Sequence, residues 1–203
     1  MSELEQTVYV VEDDEPVRDS LLLLLKAEGY ATKGYAGAAA FLEEDITSLK
    51  GCLILDIRMP GMTGMELHKR MLELRCALPV IFVTGHGDVA MAVEAMKLGA
   101  VDFVQKPYRE EDLLEKVRQA LIMDAEQQEA LRYKERLQER IASLTPRELE
   151  IMDMMIDGNA NKVIAIELDI SQRTVEIHRS RVMQKMGTHS LAQLVQMVLA
   201  ARS

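Results

Sequence analysis

Five apolar, strand-like runs alternate with five amphipathic stretches across the first 122 residues, and few folds accommodate that alternation. The runs are TVYVV (residues 7 to 11), the weaker YATKGY (30 to 35), CLILD (52 to 56), PVIFVT (79 to 84) and VDFVQ (101 to 105). Each is followed by apolar residues at helical spacing: from Pro16 to a stop at Gly29, a short stretch near residues 38 to 44, then 65 to 75, 89 to 98 and 109 to 123. Strands this apolar are buried on both faces, and a helix after each strand returns the next one in the same direction. The pattern predicts an α/β doubly wound, five-stranded parallel sheet, here over residues 1 to 122.

The remainder reads differently. DAEQQEALRYKERLQER (residues 124 to 140) contains no Pro or Gly and mixes acidic and basic residues among good helix formers, which predicts a solvated helical linker over 123 to 142. LTPRELEIMDMMIDG, NKVIAIELD, SQRTVEIHRSRVMQKM and SLAQLVQMVLAA then predict four short helices, an all-α domain over 143 to 203.

A net charge of -9 argues against nucleic acid as a partner only if it is evenly spread. Residues 1 to 122 carry 13 Lys+Arg against 21 Asp+Glu, whereas 141 to 203 carry 7 against 7. Within the latter, residues 171 to 185 hold Arg173, Arg179, Arg181 and Lys185 against Glu176 alone, a local excess of positive charge where a polyanion can bind. The longest aliphatic run, residues 21 to 25, is far below the roughly 20 residues needed to span a bilayer. MSELEQ at the N-terminus has neither a basic flank nor an apolar signal segment, so no membrane partner and a cytoplasmic location are expected. Cys52 and Cys76 lack ligand-like spacing and are expected to pack as small hydrophobes.

In a doubly wound sheet, ligands bind beyond the carboxyl ends of the strands. Glu12, Asp13 and Asp14 follow the first strand, Asp56 ends the third, Thr84 ends the fourth and Lys106 follows the fifth, so all are expected at one crevice. Crowded carboxylates repel one another unless a cation neutralises them, and hard oxygen ligands suit Mg²⁺. Lys106 and Thr84 add a fixed positive charge and a hydroxyl donor, which suits a phosphoryl group attached to Asp56. Each residue alone has a plainer explanation: acid runs are usually solvated, and Phe103 reads as core. Their combination at successive strand ends is what points to chemistry. His86, in a Gly-His-Gly loop, reads as a surface residue.

VVEDDEPVR, LDIRMPGMTG, VTGHGDVAMAVEAMKLGAVDF and QKP, in this order, resemble the receiver domain of two-component response regulators of the FixJ type, over residues 5 to 122. The resemblance implies that Asp56 is the phosphoacceptor. It also implies that Glu12, Asp13, Asp56 and the backbone carbonyl of Arg58 surround Mg²⁺, that Thr84 and Lys106 contact the phosphoryl oxygens, and that Phe103 is an aromatic switch. A cis bond at Lys106-Pro107 is implied as well. Glu12 stands where many receivers have Asp, and its longer side chain favours a water-mediated metal contact.

In the tail, residues 162 to 168, a turn at Asp169 and Ile170, and Ser171 as N-cap have the layout of a helix-turn-helix. Val175, Val182 and Met186 are spaced to face a core, with Gln172, Arg173, Glu176, Ile177, Ser180 and Gln184 on the opposite face. LTPRELEIM, GNANKVIAIELDISQRTVEIH and VMQKMG resemble the LuxR/NarL-type DNA-binding domain, over residues 143 to 200. That resemblance implies that the helix from Gln172 is the recognition helix. It makes Lys162, Thr174, Arg179, Arg181 and Lys185 available to phosphates, and Glu176, Ile177 and Ser180 to base edges. An acidic side chain in such a place serves specificity, since a carboxylate can accept from cytosine N4.

The expected function is therefore a phosphorylation-switched response regulator, with a sensor histidine kinase as phosphoryl donor and double-stranded promoter DNA as target. It is expected to form a homodimer when phosphorylated, through residues 89 to 105, and to engage RNA polymerase. No enzymatic turnover is expected beyond its own phosphoryl transfer and slow autodephosphorylation. The rivals are an aspartyl-phosphate phosphohydrolase, which would need an acid where Arg58 stands, and a phospho-switch with a protein or RNA output.

Overall fold

β-branched and aromatic residues in the five runs form a single parallel sheet ordered β2-β1-β3-β4-β5 in the computed structural model, which describes residues 6–85 and 89–202. The strands are β1 (Thr7–Val11), β2 (Ala31–Tyr35), β3 (Gly51–Asp56), β4 (Val80–Thr84) and β5 (Asp102–Gln105). All six residues of the central β3 are buried, whereas the edge strand β2, ATKGY, is largely exposed. That difference explains why β2 gives the weaker apolar signal. Registers pair Val11 with Leu55, Asp56 with Val83 and Thr84 with Gln105, so the carboxyl ends of the strands lie side by side.

Helices α1 (Glu15–Ala27), α2 (Ala38–Leu42), α3 (Gly64–Glu73), α4 (Val89–Lys97) and α5 (Glu110–Ala142) follow the strands in turn. The alternation of β3 splits its side chains between two apolar layers. Leu53 and Leu55 join Phe41, Leu67 and Phe82 on one face, and Cys52 and Ile54 join Leu21, Leu25, Ile81 and Val117 on the other. Full burial of a side chain such as Phe41 or Phe82, each wholly inaccessible, contributes about 1.5–3 kcal/mol. Local signals set the helix starts. Asp14 caps α1 by accepting from the Val17 amide at 3.1 Å, with Pro16 in the first turn. Thr63 and Glu66 form a reciprocal capping box on α3.

The chain divides into two compact units, Met1–Gln127 and Gln128–Ser203, and α5 begins in the first and ends in the second. The reading of residues 123 to 142 as a solvated linker needs correction at two points. Asp124 is buried, its carboxylate accepting from Gln6 Nε2 at 2.8 Å and from the Gly51 amide at 2.9 Å. Leu137 is 1% exposed within the core of the second unit, with Ile141 packed against it. Both are lone inward residues in a charge-rich helix, too few to produce a periodic signal.

The second unit consists of the end of α5 with α6 (Pro146–Ile156), α7 (Asn161–Glu167), α8 (Gln172–Met186) and α9 (Leu191–Arg202). Ile151, Met152, Ile164, Val175, Val182, Met186, Leu194 and Val198 form its core. Glu148 closes a capping box on Thr145 and accepts from Lys185 Nζ at 2.6 Å. The Lys185 hydrogen bond, then the Thr145 amide, hold its carboxyl at about 2 instead of the ordinary 4.5, against the opposing effect of burial.

Cys52 and Cys76 are free and buried, and desolvation pushes the Cys52 thiol up to about 12. Among the described residues no helix is long and apolar enough to cross a membrane. His86 lies outside the described residues.

Two stability measurements follow from this packing. Asp124→Ala leaves the Gly51 amide without its acceptor and is expected to cost about 1–3 kcal/mol in urea denaturation of the first unit. Because the Glu148 pKa is depressed, its ionised form stabilises the second unit above the ordinary carboxylate value, and that stability is lost as pH falls towards about 2. Thermal melts should therefore show the advantage of wild type over Glu148→Gln constant above pH 4.5 and shrinking below it. An advantage that does not change down to pH 3 would exclude the ionised pair as its source.

Candidate functional site

Parallel strands deliver their C-terminal residues to one edge, and here that edge gathers charge. Asp56, the last residue of β3, is 7% exposed, and Glu12, one residue beyond β1, is 3% exposed. Lys106 directly follows β5 and precedes a cis peptide bond to Pro107, and its Nζ donates to Glu12 Oε2 at 2.8 Å and to Asp56 Oδ1 at 3.0 Å. The other Asp56 oxygen, Oδ2, accepts from the Arg58 amide at 2.8 Å as the chain turns. Thr84, buried at the end of β4, holds the Lys106 amide through its own carbonyl at 2.7 Å, and its hydroxyl donates to the Gly85 carbonyl at 3.3 Å. Phe103, on β5 beside Phe82, is partly buried against the first apolar layer.

The electrostatics follow from burial. Desolvation raises the Glu12 pKa, the Asp56 charge adds to the rise, and the Lys106 hydrogen bond opposes it. For Lys106, burial acts to lower the pKa, but contacts with Glu12 and Asp56 outweigh it and the ammonium is held above its ordinary value. Glu12, exposed Asp13 and Asp56 each present a carboxylate oxygen within 4.8 Å of the others, so they can hold a metal ion. With all three ionised, three negative charges against the one on Lys106 leave a charge of minus two, the match of a divalent cation. Asp14 is not in this group, because its carboxylate caps α1.

Sequence reasoning gives no role to three contributors, although Arg18 and Gly64 lie within the receiver-like stretches VVEDDEPVR and LDIRMPGMTG. Arg18 on α1 donates to the Glu12 carbonyl at 2.8 Å and steadies the acidic loop. Gly64 opens α3 so close to β3 that a Cβ there would lie 2.2 Å from the Asp56 carbonyl oxygen, so only glycine lets α3 start against the Asp56 backbone. The third, Arg140, belongs to the second unit and donates from Nη1 to the Met186 carbonyl at 2.8 Å.

The second unit has its own polar face. Ser171 caps α8 through the Thr174 amide at 3.1 Å, and its hydroxyl pairs with that of half-buried Thr174. Gln172, Arg173, Glu176, Ile177, Ser180, Arg181 and Gln184 are exposed on α8, opposite buried Val175, Val182 and Met186. Arg173, Glu176, Ile177, Ser180 and Arg181 line one shallow concavity. Lys162 is exposed on α7, and Arg179 is half-buried. Lys185 is not gathered with these groups: its Nζ is bound to Glu148 and, at 2.9 Å, to the Ser143 carbonyl.

Residues 8–118 match the response regulator receiver domain family, and residues 142–198 match the luxR family of bacterial regulatory proteins. The transcriptional regulatory protein FixJ of Azorhizobium caulinodans is 44% identical over 194 residues, 96% of this chain and 92% of that one. FixJ of Bradyrhizobium diazoefficiens is 42% identical, over 96% of this chain and 95% of its own. Among solved structures, the response regulator StyR superposes with a TM-score of 0.87 at 42% identity, covering 96% of this chain and 98% of StyR. Full-length FixJ from B. japonicum gives 0.60 at 42% identity, covering 97% of each chain. An aspartate buried at a parallel-sheet edge and a polar helix face in a separate α-helical unit thus have their counterparts in one family, and the chain belongs to the two-component response regulators that join a receiver domain to a luxR-type DNA-binding domain and regulate transcription.

Proposed function

We propose that Asp56 is the phosphoacceptor of this regulator and that its modification controls DNA binding through α8. The observation that carries this reading is Lys106 Nζ bridging Glu12 and Asp56, a fixed cation beside a buried carboxylate at the open edge of the sheet. A sensor histidine kinase supplies the phosphoryl group. One Asp56 oxygen forms a bond to phosphorus as the bond between phosphorus and the kinase histidine nitrogen breaks, and the leaving imidazole takes the electron pair and a proton. Glu12, Asp13, Asp56 and the Arg58 carbonyl would hold Mg²⁺, which would supply the charge neutralisation that an anion approaching these carboxylates needs. Lys106 keeps its proton throughout, its pKa being held up by its two carboxylate partners.

Phosphorylation adds about 1.5–2 negative charges and three acceptor oxygens. Lys106 then pairs with the phosphoryl group, the Thr84 hydroxyl leaves the Gly85 carbonyl to donate to it, and Phe103 turns into the space vacated. The protein acts on no other substrate, and the acyl phosphate is lost by slow hydrolysis at the same site. A phosphohydrolase would need a proton donor two residues after Asp56, where Arg58 has none to give.

The phosphorylated chain forms a homodimer in the cytoplasm, binds two DNA half-sites and engages RNA polymerase. Exposed Val93 and Met96 on α4 support a contact surface there, and exposed Leu191 leaves a smaller one on α9, whose Leu194 and Val198 are taken up by the core. Joining two weak binders on one DNA raises operator affinity by effective concentration.

Two experiments test the two ends of this reading. Acetyl phosphate is expected to label the protein only with Mg²⁺ present, and Asp56→Asn to abolish labelling; an undiminished phosphoprotein in that variant would refute the assignment. On DNA, Arg181→Ala is expected to weaken binding to all sequences and to reduce the salt slope by about 0.9. Glu176→Gln combined with Ser180→Ala should instead change the sequence selected from a random pool, and an unchanged consensus would remove α8 from base reading.

A further inference from the structure

We propose that Arg140 and Lys185 are positioning residues that clamp the C-terminal end of α8 to the last turn of α5, and so set the helix that reads DNA. The inference rests on the reading of α8 as the recognition helix.

Helices end with carbonyls that have no partner within the helix, and a cation placed there both donates to them and opposes the helix dipole. Two helix ends meet in the second unit, and each is served by the other's cation. Arg140, in the last turn of α5, sends Nη1 to the carbonyl of Met186, the final residue of α8, at 2.8 Å. Lys185, the residue before Met186, sends Nζ to the carbonyl of Ser143, one residue beyond α5, at 2.9 Å, and to Glu148 Oε2 at 2.6 Å.

The approach is close. Gly187 caps α8 with φ 68°, a left-handed turn that favours glycine, and a Cβ there would lie 3.0 Å from Arg140 Nη1, so the guanidinium sits directly against this turn. Leu137, three residues before Arg140 and therefore on the same face of α5, is 1% exposed in the core, and Ile141 packs beside it. The end of α5 is thus a working part of this unit. The luxR match begins at residue 142, so neither Leu137 nor Arg140 is assigned by it.

Base-edge hydrogen bonds tolerate only small displacements of the residues that make them, which places a premium on holding α8 still. Loosening one end of the helix shifts Ser180 and Glu176 relative to the groove without removing any phosphate contact. Arg140 and Lys185 therefore differ from Arg181 in a measurable way: their loss should lower affinity and leave counterion release unchanged.

The test uses full-length protein and a duplex that the wild-type chain selects from a random pool, with binding measured by fluorescence anisotropy from 50 to 200 mM NaCl, the range over which phosphate contacts govern affinity. Melting curves place the assay below the transition of every variant. Arg140→Met and Lys185→Met are each expected to weaken binding roughly tenfold at every salt concentration, with plots of log affinity against log salt parallel to wild type. Arg140→Lys, which keeps a cation at the helix end, should recover most of the loss. If Arg140→Met does not fold, Arg140→Gln carries the same expectation of lower affinity at an unchanged slope. A merely structural role would lower the melting temperature and leave the affinity of the folded protein unchanged, which overturns the proposal. A slope reduced by about 0.9 in Arg140→Met or Lys185→Met would make that residue a phosphate contact and overturn it as well. Arg181→Ala separates the two layers of the argument. If it changes neither affinity nor slope, the reading of α8 fails and the clamp with it. If it behaves as a phosphate contact while the other variants bind like wild type, the clamp alone fails.

Discussion

The ammonium of Lys106 between Glu12 and Asp56 is the interaction that lets two buried carboxylates share one end of the sheet. Two carboxylates with 3% and 7% exposure cannot share a sheet edge without a counter-charge, because in a medium of low polarity their repulsion and desolvation would drive one of them to take up a proton. Lys106 reaches both, yet the direction of the Glu12 shift shows that burial still outweighs what the lysine returns. Exposed Asp13 brings a third carboxylate to the rim of the cluster. Three carboxylates beside one ammonium are a set of hard oxygen ligands that can hold a metal ion.

Most of the architecture was legible because it follows from burial. β1, β3 and β4 are apolar along their length, and their sequence bounds differ from the structure by a residue at most. β2 was legible only weakly because an edge strand in water needs few apolar residues. The positions of Glu12, Asp56, Thr84 and Lys106 could be read from a single rule about strand ends, and the structure does bring Glu12, Asp56 and Lys106 into direct contact. Arg18, Gly64, Asp124 and Arg140 could not be read, since each is defined by a partner in another element. Asp124 is 73 residues from Gly51, and Arg140 is 46 from Met186. In a helix crowded with charges, one buried aspartate looks like any other. Lys185 makes the same point from the other side: its charge was legible, but its partner Glu148, 37 residues earlier, was not.

The two units also differ in what their charge permits. Residues 1 to 122 carry an excess of eight negative charges and residues 141 to 203 none, so net charge supplies no attraction for DNA and any attraction rests on the local positive excess of α8. With Lys185 occupied internally, the positive groups left on α8 are Arg173, Arg179 and Arg181, and Arg179 is only half-exposed. A unit presenting so few cations on this helix would gain little from counterion release. On the proposed reading of α8, discrimination would come from short contacts to bases, where Glu176 contributes only if it meets a donor such as cytosine N4 and otherwise adds repulsion.

On the proposed function, a single unit with few cations and strict base reading would give a regulator whose affinity is set mainly by how many copies bind at once. If one unit binds weakly, two units held together bind as the product of their affinities scaled by effective concentration, and a modest change in the dimer population becomes a large change in occupancy. A unit that bound tightly alone would already occupy its site and would leave the switch nothing to control. The low positive charge of the second unit therefore fits the proposal that Asp56 is the phosphoacceptor: a modification of the acidic site could alter the outcome on DNA only where the DNA-binding surface does not settle it alone.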